Sequence, residues 1–177
     1  MKSPAIYKIL AFSAAMLLTM VAASGQQESS DLVKVGDAAL QFTCKTLDGK
    51  TIETGRLSGK IVLINFFATW CGPCNQELPV LQKNVWDKYK NNPDFVLIIL
   101  GREHSEKEVR DFVTTKKFTM PFAPDPKREI FSKYASQSIP RNVIIGRDGK
   151  IIFQSIGYTP EEFKTLESFL EKALAKK

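Results

Sequence analysis

A chain of 177 residues with 44% hydrophobic content can bury one sizeable core, and its length gives no reason to expect two. The net charge of +6 is mild, and the lysines interleave with acids, as in Glu106-Lys107-Glu108 and Glu171-Lys172. That pattern is a solvated surface, which argues against a nucleic-acid partner.

In chain order, residues 1–24 read as a secretory signal. Lys2 and Lys8 form its basic region, Ile9 to Ala23 its apolar region, and Ala22, Ala23, Ser24 and Gly25 offer small residues for cleavage. The apolar run is shorter than the roughly 20 residues a spanning helix needs. An uncleaved anchor is the alternative if Ile6 and Tyr7 are counted and Lys8 snorkels. No cysteine follows the run, so a lipoprotein modification site is not expected. Export places the thiols in an oxidising compartment, where an active dithiol needs an electron source or sink across the membrane. Residues 25–34 read as a linker and residues 35–177 as one domain.

Leu40, Phe42 and Cys44 alternate with polar neighbours, which predicts a strand with these three facing inward. Cys44 is then a small buried hydrophobe, with a third redox cysteine as the alternative. Asp48-Gly49 marks a hairpin turn, and Ser58-Gly59 breaks the chain before the apolar run Ile61 to Phe67, interrupted only by Asn65. Leu78, Leu81, Val85 and Tyr89 then share a helical face, kinked but not ended by Pro79. Phe95 to Leu100 reads as a buried parallel strand. Ser105 and Glu108 form a capping box for the next helix. Pro121 to Pro126 reads as a loop, and Pro126 as the start of a short helix burying Ile130, Phe131 and Tyr134. Asn142 to Ile145 and Ile151 to Ile156 flank the turn Arg147-Asp148-Gly149. Thr159, Pro160 and Glu162 open a last helix carrying Phe163, Leu166, Leu170 and Leu174. The class is α/β, a central mixed sheet flanked by helices.

The chemistry concentrates in Trp70-Cys71-Gly72-Pro73-Cys74, where a buried strand gives way to a helix. A helix N-terminus stabilises a thiolate through its unpaired N–H groups and dipole. Cys71, at the first turn and expected to be exposed, is the candidate nucleophile. Cys74, about one turn further in, is placed to resolve a mixed disulfide. Pro73 suits a first helical turn. A zinc site would need four ligands, and only Cys44 and the lone His104 remain to supply them. Haem attachment would need a histidine where Asn75 stands. No cofactor beyond the redox-active pair Cys71–Cys74 is expected, and no metal.

Phe66-Phe67-Ala68-Thr69-Trp70-Cys71-Gly72-Pro73-Cys74 closely resembles the thioredoxin active-site segment, and Ser138-Ile139-Pro140 resembles that superfamily's cis-proline loop. The signal segment, the added N-terminal hairpin from Val35 to Ile52, and Glu77-Leu78-Pro79 make the exported TlpA/ResA-like branch the closer match, related to the cytochrome c maturation reductases. The resemblance implies a thioredoxin-like fold with an N-terminal β-hairpin extension. It also implies a cell-envelope or periplasmic thiol–disulfide oxidoreductase. Ile139 and Pro140 would bind an extended substrate segment, beside Trp70, Gly72 and Pro73. Partners would be disulfide-containing proteins and a membrane thiol transporter supplying electrons.

The chain departs from that pattern in places. The buried aspartate of cytosolic thioredoxins aligns with Asn65, which cannot titrate, so Glu77 would handle protons for Cys74. The usual opening proline is replaced in Gly36-Asp37-Ala38-Ala39-Leu40. Arg141, where a small hydroxyl residue is frequent, is expected to put a cation at the substrate groove. Gly-Pro between the cysteines, instead of the Pro-His of strong oxidants, favours a reductase. The alternatives are a peroxiredoxin-like peroxidase and a non-catalytic holdase or adaptor.

Overall fold

The computed structural model describes residues 30–176. The leader, its cleavage region and the alternative anchor lie outside them. No helix among the described residues is long and apolar enough to cross a membrane. Strands β1 (Thr43–Lys45) and β2 (Thr51–Glu53) pair antiparallel as the N-terminal hairpin, turning at Gly49 with φ of 89°. Only three residues of the expected first strand are extended in the ladder; Phe42 and Cys44 are buried, but Leu40 is 39% exposed.

The centre of the molecule is β3 (Ile61–Phe67), every residue of which is buried. Helix α1 (Gly72–Leu81) follows, then a wide turn over Gln82–Trp86 and a last turn α2 (Asp87–Tyr89). Pro79 has no N–H to donate, and the helix widens just beyond it instead of stopping, as the apolar spacing predicts. Strand β4 (Phe95–Arg102) lies parallel to β3, and α3 (Glu106–Lys116) starts at the Ser105–Glu108 capping box, in which both reciprocal bonds form.

The expected loop from Pro121 is instead β5 (Phe122–Asp125), parallel to β4 at the sheet edge. An edge strand tolerates prolines because one side of its backbone has no partner. The short helix α4 (Phe131–Tyr134) begins later than Pro126, because the buried Asp125 carboxylate accepts the N–H groups of Ile130 and Phe131, at 3.2 and 2.8 Å. Strands β6 (Arg141–Ile145) and β7 (Ile151–Ile156) form an antiparallel hairpin, and α5 (Pro160–Ala175) closes the chain. The sheet order is β5-β4-β3-β6-β7, the thioredoxin-like arrangement expected.

Strand alternation divides the core. Leu63, Phe67, Leu97, Ile99 and Ile144 face α1, α3 and α5, while Val62, Ile64, Phe66, Ile98, Val143 and Ile145 face α4 and the hairpin. Both clusters are largely apolar, and their burial is the main stabilising term for a domain of this size. Ser30 to Val33 fall in the segment read as linker. Val33 is buried in the second cluster, and Leu32 N–H donates to the Tyr134 carbonyl at 3.0 Å.

Candidate active site

The dithiol lies where β3 delivers the chain to α1. Cys71 is the N-terminal cap of α1, and its Sγ accepts the N–H of Cys74 at 3.2 Å. The two cysteines form a disulfide, with Cα atoms 5.3 Å apart. Cys71 is only 6% exposed and Cys74 1%, so the expectation of an exposed nucleophile fails in this oxidised state. Its sulfur is covered by its own helix turn and by the loop before β6.

That loop carries a cis Ile139–Pro140 peptide, and the Ile139 carbonyl oxygen stands 3.9 Å from Cys71 Sγ. Ser138, just before it, has a φ of 71°, which costs a non-glycine residue about 1 kcal/mol or more. Gly72 is unobstructed at its Cα, and Pro73 sits in the first turn of α1. Trp70 is 67% exposed, with the Arg102 guanidinium 5.9 Å from its ring; it is a rim residue, not a core one.

The segment leading into Cys71 is held from both sides. Asn75 Nδ2 donates to the carbonyls of Thr69 and Cys71, both at 2.9 Å. The Thr69 N–H donates to His104 Nε2 at 2.9 Å, which requires the neutral ring with its proton on Nδ1. His104 is buried at the end of β4, the strand beside β3. The sequence offered one signal for it, a lone histidine two residues past a strand whose neighbour ends at the active site.

Beneath the dithiol, one turn along α1 from Cys74, the Glu77 carboxylate is 1% exposed, so it is no solvated helix acid. Asn65 on β3, Asn142 on β6 and Ser155 on β7 are register partners in neighbouring strands, making a polar row across one face of the sheet. Glu77 drops onto that row. Asn142 Nδ2 donates to Glu77 Oε1 at 2.6 Å, Asn65 Nδ2 to Glu77 Oε2 at 2.9 Å, and Asn65 Nδ2 also to Asn142 Oδ1 at 2.8 Å. Burial pushes the Glu77 carboxyl up to about 7, and the two amide donors hold it back from rising further. A group balanced near neutral pH can both take and return a proton. Asn142 and Ser155 were missed from the sequence because their alignment with Asn65 exists only once the strands are paired.

Arg141 does not put a cation at the groove. It shares its face with Val143 and Ile145, the face away from α1, and is fully buried there. Its guanidinium bonds to Asp31, to Ser30 Oγ at 2.9 Å and to the Gln137 carbonyl at 3.1 Å. Cys44 is the remaining cysteine, buried among Phe42, Tyr134 and other side chains of the second cluster. Burial, and secondarily the Asp125 carboxylate, pushes its thiol up to about 11. Among the described residues, no group of three or more His, Cys, Asp and Glu side chains is placed to hold a metal ion. Clefts of about 500 and 320 Å³ lie elsewhere, one at Ile152 and Phe169, the other at Leu47 and Trp86, and neither includes a dithiol residue.

Residues 34–171 match the family model described as Redoxin. The thiol-disulfide oxidoreductase ResA of Bacillus thuringiensis (strain Al Hakam) is 34% identical over 140 residues, which is 79% of each chain. Among solved structures, a Bacteroides thetaiotaomicron protein classed as a protein disulfide isomerase superimposes with a TM-score of 0.80 at 38% identity, over 83% of this chain and 94% of that one. StoA from Bacillus subtilis gives a TM-score of 0.63 at 26% identity, over 75% of this chain and 99% of its own.

Proposed function

From membership of the Redoxin family, to which this chain belongs, and from its likeness to ResA, which make it a thiol–disulfide oxidoreductase, we propose that it reduces protein disulfides in the cell envelope through Cys71 and Cys74. The observation that carries this reading is the Cys71 sulfur at the helix start, accepting the Cys74 N–H beside the Ile139 carbonyl. The N–H and the helix dipole favour the sulfur as a thiolate.

In the reduced protein the Cys71 thiolate attacks one sulfur of a substrate disulfide. That S–S bond breaks, a Cys71–substrate disulfide forms, and the first substrate sulfur leaves as a thiolate that takes up a proton. Cys74 then loses its proton to Glu77, and its thiolate attacks Cys71 Sγ. The second substrate sulfur departs as a thiolate and takes that proton back from Glu77, and the Cys71–Cys74 disulfide of this structure is left. The substrate has gained two electrons and two protons; the dithiol has supplied both electrons and the Cys74 proton, and solvent the other proton. A membrane thiol transporter returns the dithiol by the same exchange in reverse.

Geometry also supports a protein substrate. The covered dithiol is bordered by exposed Trp70, Gly72 and Pro73 and by half-buried Ile139, and neither cleft described above includes it. Trp70, Gly72, Pro73, Ile139 and Pro140 are the contacts proposed for an extended segment. Residues 1–24 serve as the leader that places residues 35–177 outside the cytoplasm.

The test is to express the full chain with Cys74→Ser in cells and look for mixed disulfides at Cys71. Partner proteins released by reductant, and absent from a Cys71→Ser control, are expected. An empty trap with a folded, exported protein contradicts the reading. The mature N-terminus should fall near Ser24 to Gln26 by mass.

A further inference from the structure

The loop that presents Ile139 is fastened from behind, on the sheet face opposite the dithiol. Arg141 begins β6 directly after Pro140, and its guanidinium is wholly buried. Three partners receive its N–H groups: the Asp31 carboxylate, the Ser30 hydroxyl and the Gln137 carbonyl. The backbone of the same N-terminal stretch zips onto the approach to the loop. Asp31 bridges to Ala135, Ser136 N–H donates to the Ser30 carbonyl, and Leu32 N–H donates to the Tyr134 carbonyl. Arg128 holds the next carbonyl, Ser136, at 2.6 Å. Between these fastened residues and Ile139 lies Ser138, in its left-handed conformation.

A guanidinium stays charged at every accessible pH, and a buried charge stripped of its partner must find water or move. Strained backbone persists only where its surroundings over-determine it. We infer that Ser30 and Asp31, through Arg141, form a clamp that positions the substrate loop, so that the N-terminal strap sets how well an extended protein segment docks at Ile139. Arg141 is a positioning residue. It is on the wrong face of the sheet to meet substrate, and it acts through Gln137 and the turn that follows.

This inference rests on the disulfide-exchange reading, and its signature is a split between substrates. A protein disulfide must lie along the Ile139 backbone to reach Cys71, whereas a small disulfide needs only the sulfur. The experiment reacts pre-reduced full chain with excess insulin or with oxidised glutathione, and reads the oxidised fraction by mass after acid quench. Wild type oxidised by neither compound would contradict the exchange reading itself.

Given an active wild type, Asp31→Asn and Arg141→Met should raise the insulin concentration for half-maximal rate about tenfold while the glutathione rate moves less than about twofold, since misplacing a docking element costs orientation and not nucleophilicity. Asp31→Glu, which keeps the charge, should recover most of the insulin loss. Equal losses with both disulfides, or no loss with either, would overturn the clamp. If Arg141→Met does not fold, Asp31→Asn carries the test, because the Asp31 side chain is 30% exposed and its replacement is isosteric.

Discussion

Cys44 and Cys71 are each 6% exposed, so burial does not distinguish the cysteine read as a packing residue from the one proposed as nucleophile. What differs is the surroundings of the sulfur. Cys71 sits at a helix start and receives a backbone N–H, while Cys44 is packed among apolar side chains with the Asp125 carboxylate in range. A thiolate is favoured in the first place and disfavoured in the second. On the proposed reading, reactivity belongs to the turn between β3 and α1, not to the residue type.

The hardest way to break the comparison is to remove the sulfurs. Cys71→Ser or Cys74→Ser should lower insulin reduction by at least about a thousandfold, because a nucleophile and its resolving partner act as a unit. Cys44→Ala should retain activity within experimental scatter. A folded Cys44→Ala protein without activity would mean that the apolar cysteine shares the redox work.

The next effect tests what the α1 side of the sheet adds. Glu77→Gln keeps shape and most hydrogen bonding but removes the proton acceptor, and should slow disulfide exchange about tenfold or more. The rate of the wild type should rise with pH through about 7, where the carboxyl titrates, and the Gln variant should lack that inflection. A stopped-flow pH profile of both proteins checks this. Superimposable profiles would leave Glu77 a structural acid.

The same group ties stability to pH. Its carboxyl is raised from 4.5 to about 7 on folding, so between those values the folded chain holds a proton that the unfolded chain has lost. Stability therefore falls as pH rises through that window, by about 3 kcal/mol in all when each unit is worth about 1.4 kcal/mol. Urea unfolding of the oxidised protein at the two ends should show the drop, and Glu77→Gln should flatten it. The smallest effect is at Cys44, where Cys44→Ala should cost about 1 kcal/mol of stability for the lost sulfur contacts.

What was legible in the sequence follows from the range of each signal. The Cys-x-x-Cys turn, the cis-proline segment, the Ser105–Glu108 capping box and the central strand are local patterns, and the thioredoxin-like fold could be read from them. Glu77 was legible by helical spacing from Cys74. The row it rests on was not, because Asn65, Asn142 and Ser155 come from separate segments and meet only through strand register. The expectation of a cation at the groove fails because β6 begins at Arg141, one residue before the run Asn142 to Ile145. Counting alternation back from Val143 and Ile145 places it on the far face. The edge strand at Phe122 was hidden by flanking prolines, which mark a loop unless the edge position is known.

The central claim, that Cys71 is the thiolate selected by its place at the helix start, is tested most directly by competition within one molecule. The reduced full chain is exposed to limiting iodoacetamide near neutral pH, and the label on each cysteine is followed by peptide mass. The account predicts that Cys71 is modified first, Cys74 later and Cys44 last, with Cys44 reacting at a useful rate only after unfolding. Labelling of Cys44 or Cys74 as fast as Cys71 in the folded protein would contradict it.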